Sequence, residues 1–189
     1  MKSSIIKLLL LSFSTLLFAC SSPVKQVIVS PEINLGNSNV FQQKQAQIHF
    51  KDLRPTNHIV EILRIGEVAQ LYPPQQTIVS VVEQSLSSAL KANGLQIQPL
   101  AANKVEVLID NAVITVHQDL LKYGASNLMN IRVVINNAQG TLTKSFKVSG
   151  TSNGPLKADL AVLERDFNQQ LAKLLIQIVQ SKELQQFIE

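Results

Sequence analysis

The fold is decided by residues 105–116, which read VEVLIDNAVITV. Apolar residues alternate there with polar or mixed ones, a pattern typical of a long half-buried β-strand. Two more strands are predicted at residues 128–135 and 142–148, and residues 136–140 (NNAQG) between them favour a hairpin. Because such short connections cannot make the crossover that a parallel return requires, we expect these three strands to pair antiparallel.

Weaker strand signals precede this region. Residues 45–51 alternate polar and apolar side chains, and residues 59–66 form a second strand candidate in which the alternation slips. Val27 to Leu35 is interpreted as an edge strand that ties the start of the chain to the domain, since proline suits a strand end or edge. Its exposed edge at Val27 to Val29 is predicted to be able to accept a partner strand.

Two segments have helical periodicity. From Thr77 onward apolar residues recur every three or four positions until Gly94, which stands where a C-terminal glycine belongs. A longer amphipathic helix is predicted from Ala158 to Gln180. The order of elements predicts an α+β fold, an antiparallel β-sheet with the two amphipathic helices packed on one face. We expect residues 27–189 to form a single domain.

The start of the chain has the features of an export signal. A short charged beginning is followed by an apolar run at residues 8–18, and the chain's one cysteine comes directly after a small residue. An ordinary cleaved signal peptide and a membrane-spanning anchor are the alternatives, but the run is shorter than the ~20 apolar residues that a spanning helix needs. Residues 1–19 are therefore predicted to be a lipoprotein signal peptide. The predicted lipobox consists of Leu17, Phe18, Ala19 and Cys20, in which Phe18 is bulkier than is usual.

The lipobox implies a lipid anchor. Its resemblance to the lipoboxes of bacterial lipoproteins implies that Cys20 is alkylated with diacylglycerol, becomes the first mature residue and is acylated. Several acyl chains together hold a protein stably on a membrane. Ser21 follows in place of the aspartate that usually retains proteobacterial lipoproteins in the inner membrane. We therefore expect attachment to the periplasmic face of the outer membrane, with residues 20–26 as the lipidated terminus and short tether.

Composition excludes several classes of protein. Removal of residues 1–19 takes away Lys2 and Lys7, which lowers the formal net charge from +4 to +2. This leaves no polybasic face for nucleic acid, and the absence of tryptophan argues against stacking on bases or sugars. With Cys20 lipidated, neither a disulfide nor a cysteine-ligated metal can form. No metal site and no cofactor are expected.

The candidate catalytic motifs are weak. Residues 150–154 match G-x-S-x-G, the nucleophile elbow of α/β-hydrolases, with Ser152 as the nucleophile. That fold places its histidine after the serine, but all the histidines of this chain precede it, and residues 150–155 also read as an ordinary flexible loop. The histidines share no metal-ligand spacing either. They are His49, His58 and His117.

Asp52 and Arg54 are a candidate pair at the end of the first predicted strand. Because they are two residues apart, their side chains lie on the same face of the strand if the strand continues to Arg54. There they can form hydrogen bonds with a neighbouring loop. A structural clasp is favoured over a binding site because no other functional group converges on them. Asp110 is interpreted as a solvated residue on the open face of the sheet rather than a buried acid.

Val29-Ser30-Pro31 follows close behind the lipobox, and Asp52-x-Arg54 is followed by Ile65-Gly66 a dozen residues later. In these motifs, in the lipobox and in the order of elements, the chain resembles the YajG-type bacterial lipoproteins. This resemblance implies an envelope lipoprotein without established activity or catalytic residues.

Two classes of function remain open, and neither is an enzyme. In the favoured class, the anchored domain is an accessory module that binds another envelope protein through its exposed sheet face or edge. In the alternative, an apolar groove between the helices and the sheet carries a lipid or another hydrophobic ligand.

Overall fold

The computed structural model describes residues 25–36 and 38–188. Within this part of the chain, seven strands form one sheet and three helices accompany it. The strands are β1 (Gln45–Asp52), β2 (Val60–Leu63), β3 (Gln70–Tyr72), β4 (Gln96–Ile97), β5 (Asn103–Gln118), β6 (Lys122–Asn137) and β7 (Gly140–Pro155), and the helices are α1 (Ile78–Ala92), α2 (Leu160–Val179) and α3 (Lys182–Phe187).

A long antiparallel ribbon forms the centre of the fold. β5 pairs with β6 over nearly its whole length, and β6 pairs in the same way with β7. The predicted antiparallel pairing of the three late strands is therefore confirmed, although each strand extends to 16 residues. A register shift between Ile109 and Asn111 makes Asp110 a bulge, after which the buried positions change from odd to even numbers.

The sheet is mixed, so the prediction of a purely antiparallel sheet is wrong. β1 and β2 both run parallel to β5 along the same side of it, β1 beside residues 103–109 and β2 beside residues 114–117. The physical reason is the position of α1, which lies in the chain between these early strands and β5. Its 15 residues supply the crossover that parallel pairing requires. β3 adds one antiparallel partner to β2, and β4 adds a parallel partner to β1.

Helix α1 has well-defined ends. Its N-cap Thr77 accepts a hydrogen bond from the amide of Ser80. At the other end Gly94 has φ +91°, its amide donates to the carbonyl of Lys91, and the amide of Leu95 donates to the carbonyl of Leu90. This is a Schellman motif, which stops the helix at the glycine that the sequence indicates.

The helices supply much of the core. α1 contacts β1 and β4, α2 contacts β5, β6 and β7, and the two helices contact each other. α2 begins at its N-cap Asp159, whose carboxylate accepts from the amide of Ala161. The short α3 was not apparent from the sequence, and its Leu184 belongs to the same hydrophobic cluster. Together these elements bury one continuous cluster of apolar side chains.

Candidate functional site

Asp52 and Arg54 lie in the gap between β1 and β2. Arg54 donates from Nε and Nη2 to both carboxylate oxygens of Asp52, at 2.9 and 2.8 Å. Its Nη1 reaches the carbonyls of His58 and Ala112, at 3.4 and 3.5 Å. The arginine side chain is only 4% exposed. It therefore fills the gap where β5 has no strand partner, which is the geometry of a structural clasp.

The electrostatics of this pair favour the ionised state. Burial raises the pKa of the Asp52 carboxyl, but the hydrogen bonds and the charge of Arg54 outweigh burial and hold that pKa below its ordinary value. The guanidinium makes a bidentate contact with a carboxylate, the strongest arrangement for such a pair. An aspartate held ionised in this way is poorly suited to act as a general acid or base near neutral pH.

The open face of the sheet carries paired charges. Lys51 on β1 lies 2.6 Å from Glu106 on β5, and this contact lowers the pKa of the glutamate. At the β5 bulge, Asp110 accepts from Arg132 on β6 at 2.8 Å, with the two side chains 21% and 38% exposed. Asp110 thus lies partly exposed beside a cation. Each of these two pairs joins one positive and one negative side chain.

The candidate G-x-S-x-G motif, which the sequence disfavours as a catalytic site, lies on a strand. Residues 150–154 belong to β7, where Ser152 is exposed and is paired in register with Ala125. The interpretation of this segment as a flexible loop is wrong, and a nucleophile elbow between a strand and a helix is not formed. His49 is exposed on β1, and His58 lies 3.5 Å from Glu61. Among the described residues, no three His, Cys, Asp or Glu side chains are grouped as a metal site would need.

The first described segment lies against the helices. Val27 and Val29 point inward and are buried, whereas Ile28 and Ser30 point outward. The amide of Ile28 donates to Glu164 at 2.7 Å, and the amide of Ser30 donates to Asn168 at 2.8 Å. Asn168 also donates to the carbonyl of Ile28 at 3.0 Å. Side chains of α2 therefore take the place of a neighbouring strand.

This arrangement corrects the prediction of an edge strand at Val27 to Leu35. In the described chain, the segment joins the sheet region only through a single parallel bridge between Val27 and Pro74. The amide of Val27 donates to Pro73, and its carbonyl accepts from Gln75. The Val27 to Val29 edge is consequently occupied, and the prediction that it accepts a partner strand is wrong. The reason is that helix side chains satisfy its backbone, which alternation alone does not reveal.

The same segment covers the surface where a ligand groove was considered. Its buried valines belong to the hydrophobic core cluster together with residues of both α1 and α2. Open grooves of about 460 and 860 Å³ remain beside it, toward α1 and α2 respectively. The groove beside α1 is lined by polar side chains such as Gln76, Gln84 and Ser88. The polar lining of the groove beside α1 is typical of a solvated surface rather than of an apolar ligand site.

A free strand edge is the remaining structural feature of the sheet. Among the described strands, β6 is the only partner of β7, so the other edge of β7 is open along 16 residues. Thr143, Ser145 and Lys147 are exposed on its outward side. The sequence does not predict this edge, because residues 150–155 resemble a loop and the predicted strand therefore ends at residue 148. A regular alternation of serine, threonine and lysine after residue 140 was the available signal.

The predicted anchor lies outside the described residues. Residues 1–19, including Leu17, Phe18 and Ala19, and also Cys20 and Ser21, are not among them. Within the described part, none of the helices combines the length and the apolar character needed to cross a bilayer.

Comparison with known proteins gives a family and a fold. A family model described as an uncharacterized lipoprotein matches residues 31–189. No curated protein matches the chain. Protein XCC0632 from Xanthomonas campestris has a similar structure, with a TM-score of 0.56 and 16% identity over 84% of this chain and 93% of that one. A Helicobacter pylori protein, described as a homologue of a neuraminyllactose-binding hemagglutinin, has a TM-score of 0.49 and 13% identity, with 84% and 93% of the two chains covered.

Proposed function

Because the chain belongs to this family of uncharacterized lipoproteins and its sequence resembles the YajG type, we propose that it is a lipid-anchored accessory module of the bacterial envelope. In this proposal Cys20 carries the lipid, and Ser21 directs the protein to the periplasmic face of the outer membrane. The domain performs no chemistry of its own. It binds another envelope protein along the free edge of β7.

The free edge of β7 is the observation that carries this proposal. An extended segment of a partner can add to such an edge, because main-chain hydrogen bonds provide affinity and alternate side chains provide specificity. An open edge of 16 residues is long compared with ordinary strands of about 5–6 residues. Proteins usually shorten or cover such edges, because they invite aggregation. A long edge that is retained is therefore a reasonable place for a partner strand.

The accessory role is supported by the state of the charged groups on the open face. Lys51 and Glu106 neutralise each other, as do Arg132 and Asp110. The bidentate pair of Arg54 and Asp52 closes a gap between strands. Charges that are matched in this way stabilise a surface and contribute little to binding a charged substrate.

Attachment of the domain close to its anchor also supports the proposal. The backbone at Ile28 and Ser30 is bonded to Glu164 and Asn168 on α2. The chain is thereby fixed to the domain only a few residues after Cys20. Such a short tether holds the free edge of β7 at a limited distance from the membrane, where envelope partners are concentrated.

In-cell photo-crosslinking tests this function. A photoreactive amino acid is placed at Ser145 on the outward side of β7, and at the exposed Lys173 on α2 as a matched control. We expect a discrete crosslinked protein from position 145 but not from position 173, and we expect it to disappear in the mislocalised Cys20→Ala form. Equal crosslinking from both positions, or from neither, would contradict the proposal.

Charge reversal separates binding from folding. Lys147→Glu adds a negative charge beside the free edge, and Lys173→Glu makes the same change on the helix layer. We expect the first to reduce partner recovery at least about tenfold and the second to leave it unchanged, with equal unfolding midpoints. Recovery of bound lipid with Cys20→Ala protein, without any partner protein, would instead support the carrier function.

A further inference from the structure

Five aliphatic side chains are exposed at one end of the sheet. We call this region the tip and define it as the β2–β3 turn (residues 64–69), the β5–β6 turn (residues 119–121) and Leu156 after β7. Single exposed apolar residues are ordinary on protein surfaces, whereas several together mark a contact site. The exposed fractions are 99% for Ile65, 91% for Val68, 94% for Leu120, 77% for Leu121 and 64% for Leu156.

The strand register places these residues together. β2 is parallel to β5 and Leu63 pairs with His117, so the β2–β3 turn projects past the end of β5. The β5–β6 turn begins at that same end, since β5 finishes at Gln118. β7 returns there too, because Pro155 pairs with Lys122 and the amide of Leu156 donates to the carbonyl of Leu121 at 2.7 Å.

The backbone holds these side chains outward. The amide of Asp119 donates to the carbonyl of Lys122, which puts both leucines at the centre of a tight turn, where polar residues are usual. Ile65 occupies the corresponding position in a turn closed by the amide of Glu67 and the carbonyl of Arg64. Leu156 has φ +62°, a left-handed conformation that is unfavourable for leucine and is often found at functional sites.

The start of the described chain points toward the tip. Ile28 and then Ser30 contact Glu164 and then Asn168, so the segment runs parallel to α2. α2 starts shortly after Leu156 and runs away from the tip, because Phe187 in the following helix contacts Asn137 at the opposite end of the sheet. The parallel bridge of Val27 with Pro74, beyond β3, gives the same direction. Lys25 and Gln26 therefore lie on the side of Val27 that faces the tip, and the chain between Lys25 and Cys20 can span at most about 18 Å.

The charges at this end suit an anionic membrane surface. Lys25, Lys122 and Lys157 are exposed there. The carboxylate of Asp119 accepts from the amides of Leu121 and Lys122, and that of Asp159 accepts from the amide of Ala161. These two carboxylates keep their charge, and Arg64 and Glu67 of the tip pair with each other at 3.2 Å. The three lysines outnumber the two aspartates, so this end retains a small positive charge that can face lipid phosphates.

We propose that the tip inserts its aliphatic side chains into the headgroup region of the membrane that holds Cys20. This inference rests on the proposed lipid anchor and adds a second, protein-mediated contact. With one end inserted, the strands stand upright on the membrane. Because β5 has 16 residues at about 3.3 Å each, the opposite end of the sheet is then about 50 Å from the lipid. The free edge of β7 runs from the membrane surface into the periplasm.

Fluorescence quenching in vesicles tests this orientation. Once Cys20 is lipidated the chain has no other thiol, so Leu120→Cys and Leu100→Cys each accept one environment-sensitive dye. Leu100 is the matched control, because it is 97% exposed and precedes β5 at the opposite end of the sheet. The lipidated full-length mature protein is reconstituted in vesicles of phosphatidylethanolamine and phosphatidylglycerol that contain lipid with a spin label near the headgroup.

We expect the emission of the dye at position 120 to shift to the blue and to be quenched by the spin-labelled lipid. The emission of the dye at position 100 should be that of a dye in water. If both dyes report water on protein that still floats with the vesicles, the insertion of the tip is wrong and the anchor stands. If the protein does not float, both are wrong. A blue shift at position 120 without quenching by spin-labelled lipid would indicate a protein contact and would also overturn the proposal.

A variant without the anchor measures the contribution of the tip alone. In the Cys20→Ala protein, we expect weak salt-sensitive binding to the same vesicles, which Leu120→Asp with Leu121→Asp reduces about tenfold. The exposure of both leucines makes the double variant compatible with folding. Equal binding of the two proteins would overturn the proposal.

Discussion

The two turns that close the central ribbon differ in chemistry, although they belong to the same three strands. In the β6–β7 turn, Asn137 accepts from the amide of Gln139, and Gly140 adopts φ +130°. In the β5–β6 turn, the aspartate at the corresponding first position also accepts from backbone amides, but the two central residues are exposed leucines. The central residues of the β6–β7 turn are Ala138 and Gln139, neither of which has a large aliphatic side chain. Closing a turn of this kind therefore does not require two leucines, and we expect those of the β5–β6 turn to serve another purpose.

The largest expected effect is at the β6–β7 turn, where Asn137 connects three elements. Its amide group donates to the carbonyl of Phe187 at 2.7 Å and to the side chain of Asn103 at 3.1 Å, and its oxygen caps the turn. We expect Asn137→Ala to lower the free energy of unfolding by about 2–3 kcal/mol, because several partly buried hydrogen bonds are lost together. Urea denaturation followed by circular dichroism measures it.

The neighbouring Asn136 provides the control for that variant. It is exposed, and its side chain accepts a hydrogen bond from Thr141 on the next strand. Asn136→Ala should therefore cost less than about 0.5 kcal/mol. If the two asparagine variants are equally stable, the β6–β7 turn is not tied to the C-terminal helix in the way described.

A smaller effect is expected from the turn glycine. An added Cβ atom at Gly140 would meet open space, so the cost of a methyl group comes mainly from holding alanine at this positive φ. We expect Gly140→Ala to destabilise the protein by about 1 kcal/mol. Gly36→Ala is the matched control, because Gly36 also has open space but no positive φ. Equal midpoints for the two variants in the same urea titration would show that alanine is not strained at position 140.

The sequence predicts the main elements where local signals are strong. The alternation of residues 105–116 and the periodicity ending at Gly94 correspond to β5 and α1. It failed on the direction of β1 and β2, because parallel pairing depends on which strand is adjacent after the crossover, and a sequence pattern does not contain that information. It also failed on Val27 to Leu35, because alternating buried and exposed residues are compatible both with a sheet strand and with an extended segment that packs against a helix.

The candidate site was only partly accessible from sequence. The spacing of Asp52 and Arg54 indicated a contact, and the structure places them 2.8 Å apart. The tip could not be found in the same way. Its turns are separated by about fifty residues, and only the register of Leu63 with His117 brings them to the same end. Exposed leucines in a turn look like strand residues until the ends of the strands are known.

At the β5–β6 turn, Asp119 provides a pH-dependent test. The hydrogen bonds from the amides of Leu121 and Lys122 hold its pKa below the ordinary 3.8. The folded protein therefore binds this proton less tightly than the unfolded chain does, so the stabilisation is present above about pH 4 and is lost as pH falls through the lowered pKa. We expect the stability advantage of the wild type over Asp119→Asn to be unchanged from about pH 6 to about pH 4 and to shrink as the pH falls from about 4 to about 3.

Urea midpoints of both proteins across this range provide the measurement. The effect should be small, because the carboxylate is exposed to solvent. The same comparison for Asp159→Asn, which removes an N-cap charge and leaves the turn intact, separates a local effect from general acid destabilisation. A constant difference between wild type and Asp119→Asn would mean that the turn does not depend on the ionised carboxylate.

The smallest effect on stability is expected from the leucines themselves. Leu120 and Leu121 are 94% and 77% exposed, so Leu120→Ser with Leu121→Ser should change the free energy of unfolding by no more than about 0.5 kcal/mol. A decrease of more than about 1 kcal/mol in the free energy of unfolding would show that the leucines stabilise the fold, and the two turns would then not differ in this respect. An unchanged stability combined with loss of vesicle quenching at an adjacent label would show that they serve a surface outside the protein. The pair would then be retained for its contact with lipid, since the fold gains nothing from it.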